Sequence, residues 1–167
     1  MKTKFVTCED INKKTFQVKA EELIFRPSIY GLLFKGDKIL LSPQWDGYDF
    51  PGGGIKKGEL SLEALKREFW EETGLRVTPD KLITVTENFF ISIESRKSLH
   101  GILIYYICKN PKGQISTKYF DTHEKAYMSA AQWVNIKDIR KIKFYNGVDS
   151  VKLIKQAYAI FKKKQLK

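Results

Sequence analysis

A chain of 167 residues with 43% hydrophobic and 29% charged content has the size of one compact domain, able to bury about two-thirds of its unfolded surface. Lys and Arg number 30 against 19 Asp and Glu, a net charge of +11 that favours polyanions in general without selecting one. No run approaches the roughly 18 to 20 consecutive apolar residues of a membrane helix, and the opening MKTKFVTCEDINKK has no apolar targeting core, so no membrane association and a cytoplasmic location are expected. Cys8 and Cys108 form no C-x-x-C pair and stand near no histidine pattern, which argues against a thiol redox motif or a zinc site. Apart from the terminal KKKQLK the lysines are scattered, as on a solvated basic surface.

No repeat, low-complexity tract or Pro/Gly/Ser-rich linker divides the chain, so residues 1–167 are expected to form a single domain. Lys4 to Leu23 is polar and reads as an N-terminal extension over residues 1–23. Ser28 to Phe34 is a dense apolar run of buried-strand type, Gly36-Asp37 turns the chain, and Lys38 to Ser42 returns, which predicts a β-hairpin. In YDFPGGG, Tyr48 to Gly54, three glycines after proline predict a permissive loop with close backbone approach. A helix follows, with Ser61 as expected N-cap, an apolar stripe at Leu62, Leu65 and Phe69, and Gly74 at the left-handed position that ends it. Leu82 to Ile93 and Gly101 to Cys108 are β-rich runs joined by the turn ESRKSLH, and Gln132 to Val134 is a shorter strand. Val148, Val151, Ile154, Ala157, Tyr158 and Phe161 repeat at helical spacing, predicting a C-terminal amphipathic helix over residues 147–164. These elements add up to a mixed α/β layer fold.

In the first helix Glu68, Glu71 and Glu72 stand at i, i+3 and i+4, so three carboxylates share one face within a turn. Like charges so close destabilise a helix and raise one another's pKa values, and a hard divalent cation such as magnesium removes both penalties while binding substrate phosphates. A solvated acidic face balanced by Lys66 and Arg67 would explain an arbitrary glutamate-rich helix. Here the surroundings outweigh that reading. The pattern G-x5-E-x7-R-E-U-x-E-E-x-G-U, with U a bulky apolar residue, runs through Gly53, Glu59, Arg67, Glu68, Phe69, Glu71, Glu72, Gly74 and Leu75.

This stretch resembles the signature box of the Nudix hydrolase family, complete except that Phe69 is aromatic where an aliphatic residue is usual. With the preceding strand pair, the FPGG lead-in and the order of later elements, the likeness extends over most of Ser28 to Val134. It implies an α/β/α sandwich with a mixed β-sheet between helices. It also implies magnesium, with manganese as an alternative, held by Glu68, Glu71 and Glu72, and catalytic roles for Glu71, Glu72 and Arg67, the last orienting the carboxylates. Glu59 falls on the other acidic box position, while Gly53 and Gly54 allow backbone to approach metal and substrate. The implied reaction is attack of metal-activated water on a phosphorus of a nucleoside diphosphate derivative.

The family's general base is a box glutamate or an acidic residue in a distant loop, for which Glu124 is the candidate, ahead of Asp121 and His123; His100 and His123 read first as structural or solvated. Tyr48, Trp45, Phe89, Phe90 and Phe120 have the chemistry to stack on a base, and Arg96 or Lys97 to meet phosphate, with only one of Phe89 and Phe90 expected to reach the pocket. Tyr48, Phe89 and Arg96 are the preferred substrate contacts beside Gly53 and Gly54. Markers for ADP-ribose, dinucleoside polyphosphate, NADH or coenzyme A are not evident, leaving a nucleoside triphosphate or nucleotide sugar open. The expected partner is a small nucleotide derivative, with the protein a monomer or homodimer. An RNA 5′-end pyrophosphohydrolase and a non-catalytic nucleotide- or RNA-binding domain are the alternatives.

Overall fold

The computed structural model describes residues 3–93, 95–145 and 147–165. Glu94 in the expected turn and the last two residues of the basic tail, Leu166 and Lys167, lie outside them. Among the described residues the strands are β1 (Phe5–Glu9), β2 (Thr15–Lys19), β3 (Ile24–Lys35), β4 (Lys38–Gln44), β5 (Gly47–Asp49), β6 (Gly52–Gly54), β7 (Arg76–Ile91), β8 (Ser98–Lys112) and β9 (Gln132–Asn135). The helices are α1 (Ser61–Thr73), the single turn α2 (Glu124–Tyr127) and α3 (Ser150–Gln165).

The strands form one sheet in the order β2-β1-β7-β8-β3-β4-β5, with β6 added to β3 and β9 to β4. β3 runs parallel to β8 and β1 parallel to β7, and the other pairs are antiparallel, so the sheet is mixed as expected. Alternation along β3 decides what each face buries. Leu32 and Phe34 join Ile39, Leu41, Tyr105 and Ile107 under Leu153, Ile154 and Ala157 of α3. Ile29 and Leu33 join Leu40 and Cys108 under Ala64, Leu65 and Phe69 of α1. The helices thus cover opposite faces, which is the expected α/β/α layering.

The expected β3-β4 hairpin forms, with Phe34 opposite Ile39 and Lys35 opposite Lys38. Four details differ from the sequence reading. Ser61 is the first helical residue and not the N-cap: the cap is Leu60, extended at φ −74° and ψ 142°, whose carbonyl accepts from the amides of Glu63 and Ala64 without help from a side chain. Gly74 does take the left-handed position, at φ 75°, and its amide closes on the Trp70 carbonyl. Lys4 to Leu23 contains a hairpin, β1 with β2, that extends the sheet beside β7 through Glu9 and Phe90. β7 begins at Arg76, six residues before the expected Leu82, because irregularities in its pairing around Arg76/Thr78 and Pro79/Lys81 absorb a proline that cannot donate to the ladder.

The fourth difference bears on the site. Gly52, Gly53 and Gly54 are not a loop but strand β6, paired antiparallel with Tyr30, Ile29 and Ser28. Gly52 holds φ 149°, and a Cβ there would lie 2.2 Å from the Ile29 carbonyl oxygen and 2.6 Å from Tyr30 Cα. Only glycine can make this pairing. Gly52→Ala is therefore expected to lose about 3 kcal/mol or more, lowering Tm by roughly 10 °C in calorimetry. A Tm within about 2 °C of wild type would show that β6 can withdraw from β3 at little cost.

Candidate active site

β6 leads into α1, whose exposed edge carries the acidic residues. Arg67 ties them together. Its Nε and Nη2 donate to the two oxygens of Glu59 at 2.7 and 2.8 Å. Its Nη1 donates to Glu68 Oε1 at 2.6 Å and Glu71 Oε2 at 3.0 Å, and Nη2 also reaches the Gly54 carbonyl at 3.3 Å. One planar guanidinium thus fixes three carboxylates and the end of β6, which a point-charge ammonium cannot do. Glu72 points the other way and is 6% exposed. Its Oε2 accepts from Ser42 Oγ at 3.1 Å and from the Gly52 amide at 3.3 Å.

The electrostatics separate these carboxylates. The fork from Arg67 holds Glu59 down to about 2. Burial, only partly offset by Arg67, pushes Glu68 up. Glu72 is raised well above the ordinary carboxylate range, first by burial and then by the charges of Glu68, Glu124 and Asp49. Burial likewise raises Glu124, whose carboxylate accepts from the Asp121 amide at 2.7 Å. These mutual influences place Glu124, from a loop more than fifty residues along the chain, in the same field as the α1 glutamates.

A cleft of about 1160 Å³ opens beside them. Its floor is one face of the sheet: Arg26, Ser28 and Tyr30 alternate along β3, Leu103 stands on β8, and Asn88 and Phe90 on β7. Glu68, Glu72, Gly53, Gly54 and Glu124 border it, with Asp121 and His123 beside Glu124. Glu71, Glu59 and Arg67 are not in the lining and stand behind Glu68. Trp45, half exposed at φ 45°, stacks on Tyr127 at 4.6 Å and meets Tyr145 edge-on at 4.9 Å on the far wall.

Of the expected substrate contacts, Tyr48 and Arg96 do not border the cleft. The Tyr48 ring packs into the α3-side core and its hydroxyl donates to Gln132 Oε1 at 3.1 Å. Arg96 sits in the β7-β8 turn at φ 56°, its amide bonded to the Ser92 carbonyl. Lys97 shares that turn, and Phe120 is buried. Phe89 touches the cleft margin, but its ring lies 4.6 Å from His100, itself edge-on to Phe25, in a row on the opposite sheet face. Phe90 is the one whose register turns it to the floor. His100 is thus a partly buried ring between two phenylalanines.

Arg26, Ser42, Asp49 and Asn88 escaped the sequence reading. The available signal for Arg26 was strand alternation, since it precedes Ser28 and Tyr30 by the period of two.

For a divalent cation the donor set fits by chemistry: oxygen atoms only, crowded, desolvated, with Glu68 Oε2, Glu71 Oε1 and Glu72 Oε1 lacking a hydrogen-bond partner among the described residues. Among those residues no three acidic, histidine or cysteine side chains close into a complete chelate.

A family model described as the NUDIX domain matches residues 24–154. An RNA pyrophosphohydrolase of Psychrobacter sp. (strain PRwf-1) is 46% identical over 57 residues, 34% of this chain and 33% of that protein. The chain therefore matches about a third of the length of that relative. An 8-oxo-dGTP diphosphatase of Buchnera aphidicola subsp. Schizaphis graminum is 25% identical over 122 residues, covering 70% of this chain and 82% of its own. Among solved structures, the solution structure of the E. coli ORF135 protein superposes with TM-score 0.59 at 18% identity, covering 84% of this chain and 93% of its own, which speaks for the fold. With the family model spanning β3 through the first turns of α3 and enclosing the whole carboxylate cluster, the chain belongs to the NUDIX domain family.

Proposed function

We propose that this protein is a pyrophosphohydrolase that cleaves the phosphoanhydride of a nucleoside diphosphate derivative with a divalent metal. The observation that carries the reading is the buried Glu72 beside Glu68 and Glu124 at the edge of a cleft large enough for a nucleotide. Small-ligand sites commonly lie in such clefts of several hundred Å³ and more, and strongly perturbed titratable groups mark them. Relatives named RNA pyrophosphohydrolase and 8-oxo-dGTP diphosphatase support the reaction class.

Glu68, Glu71 and Glu72 would hold magnesium, or manganese in its place. When bound, the ion supplies charge neutralisation on the diphosphate and a more acidic water. Arg67 keeps Glu68 and Glu71 in register, and its contact with the Gly54 carbonyl fixes the backbone that faces them. Glu124 faces the same cleft, and its raised pKa makes it a stronger base than an ordinary carboxylate, suited to taking the proton of the attacking water.

The test is phosphate release, coupled to inorganic pyrophosphatase, from a panel of nucleoside triphosphates, nucleotide sugars and other diphosphate derivatives with and without magnesium. A 5′-triphosphorylated oligonucleotide belongs in the panel, because the +11 charge and the RNA pyrophosphohydrolase relatives favour RNA ends as the second substrate class. Metal-dependent turnover of at least one member is expected. Turnover of none, with magnesium or manganese, would overturn the proposal.

A further inference from the structure

The proposed base stands on a segment too short to hold itself. Glu124 opens α2, which has 4 residues, and isolated helices shorter than about 12 to 15 residues are marginal in water. Its carboxylate is therefore only as well placed as the contacts around the turn. At the far end those contacts are to β4. The Trp45 amide donates to the Tyr127 carbonyl at 2.9 Å, the Ser129 amide donates to the Pro43 carbonyl at 3.2 Å, and Gln44 forms a bridge with Met128. The Trp45 ring stacks on Tyr127 at 4.6 Å, and Trp45 keeps φ 45°, a value that a bulky residue holds only where its surroundings impose it.

The near end, where Glu124 sits, is fixed differently. Phe120 is buried, and the next residue, Asp121, exchanges hydrogen bonds with Glu124. Asp121 Oδ1 accepts from the Glu124 amide at 2.8 Å and from the His123 amide at 2.7 Å. In return Glu124 Oε2 accepts from the Asp121 amide at 2.7 Å. This is the reciprocal geometry of a capping box, formed across the turn that leads into α2. The two carboxylates are left with different tasks. Asp121 has one oxygen engaged by two backbone amides. Glu124 has only Oε2 engaged: Oε1 has no hydrogen-bond partner among the described residues, and the side chain lines the cleft that Glu68 and Glu72 border. With Oε2 pinned, the direction of Oε1 is set.

Taking Glu124 as the base of the proposed cleavage, we propose that Asp121 is a positioning residue whose side chain, by holding the Glu124 backbone, aims Oε1 at the attacking water. The water oxygen bonds to phosphorus, its proton passes to Oε1, and the bridging oxygen departs with the leaving phosphate. Asp121 takes no proton itself and acts through Glu124, although it borders the same cleft. Its contribution is geometric, and belongs to kcat and not to substrate affinity.

Base and clamp can be separated by substitution. Glu124→Gln keeps an oxygen for the Asp121 amide and cannot take a proton, so kcat should fall about 10²-fold or more with the turn intact. Asp121→Ala removes the acceptor and should lower kcat about 10- to 100-fold with KM unchanged, the effect of roughly an ångström of misplacement at the reacting atoms. Asp121→Asn and Asp121→Ser restore an acceptor and should return kcat to within about threefold of wild type. Asp121→Glu keeps the charge but sets it one methylene further out, and should fall with Asp121→Ala; it also decides the matter if Asp121→Ala does not fold. In the Glu124→Gln background, Asp121→Ala should change kcat by less than about twofold, because residues that act through one another are not additive. A residue that merely supports the fold would cost the same factor in both backgrounds. Amide exchange reads the clamp without substrate: the Glu124 amide should exchange about tenfold faster in Asp121→Ala than in wild type or Glu124→Gln. A loss of kcat in Glu124→Gln with none in Asp121→Ala or Asp121→Glu, a rise in KM alone, or equal exchange in all three proteins would overturn the assignment and leave the cleavage reading standing. Full kcat in Glu124→Gln would overturn it together with the role of Glu124 as base, and absence of turnover from every substrate would overturn the cleavage reading on which it rests.

Discussion

Glu72→Gln is expected to move activity and stability in opposite directions. Turnover should fall about 10²- to 10³-fold, the range seen when one charged or polar group that stabilises a reacting centre is removed. Thermal stability in chelator should rise. A carboxylate with 6% exposure, held by Ser42 Oγ and the Gly52 amide with no cationic partner among the described residues, is a buried charge that folding must accommodate. Its pKa lies well above the ordinary 4.5 in the folded chain, so the native state binds the proton more tightly than the unfolded state does. The sign follows: below about pH 4.5 both states hold the proton and Glu72 resembles Gln, and from 4.5 up to the native value the folded protein loses about 1.4 kcal/mol per pH unit. The Tm advantage of Glu72→Gln should therefore be near zero at pH 4 and largest at pH 8. Magnesium should stabilise the wild type more than the variant at pH 8, since the wild type has one more buried carboxylate for the ion to neutralise. A variant no more stable than wild type at pH 8 in chelator would mean that the cluster is already neutralised without metal.

How much of this was legible beforehand depends on how local each feature is. The spacing of Glu68, Glu71 and Glu72 is a property of one helix, so their grouping and the role of Gly74 could be read from periodicity alone. The Arg67 fork onto Glu59 links residues eight apart; the box pattern contained both residues without pairing them. The split among the glutamates was not legible. Glu72 is isolated from Arg67 because α1 sets it against Ser42 of β4 and Gly52 of β6, contacts 30 and 20 residues away in sequence. YDFPGGG misled because glycine's freedom argues for a loop, whereas here the absence of Cβ atoms lets β6 lie against β3. Arg96 attracted attention as a basic residue in a β-turn, yet the arginine on the cleft floor is Arg26, in a strand whose cleft face is defined only by pairing with β6 and β8. Aromatic residues were assigned by type, and sheet register then sorted them: Phe90 to the floor, Phe89 to His100, Tyr48 to the core.

Arg67→Ala should be the more damaging change to folding. The guanidinium serves Glu59, Glu68, Glu71 and the Gly54 carbonyl at once, and its removal leaves three carboxylates whose side chains are 17%, 13% and 31% exposed facing one another. Breaking a buried ion pair from one side costs about 3 to 5 kcal/mol, and partial exposure reduces this to roughly 2 to 4 kcal/mol, a fall of about 5 to 15 °C in Tm at pH 7. The pH dependence identifies the cause. Glu59 sits at about 2 against an ordinary 4.5, so its pairing stabilises the fold above pH 4.5, and that contribution is lost as pH falls through 2. The gap between wild type and Arg67→Ala should accordingly be widest at neutral pH and narrow on acidification as the carboxylates protonate. Arg67→Lys should recover little, since one ammonium cannot donate in parallel to both Glu59 oxygens and also reach Glu68 and Glu71. Magnesium should restore part of the loss by neutralising Glu68 and Glu71 while leaving Glu59, which does not line the cleft, with the Lys56 amide and no cation. Full restoration of Tm by magnesium, or a gap that persists unchanged to pH 2, would show that Arg67 acts through packing of its stem and not through the three carboxylates.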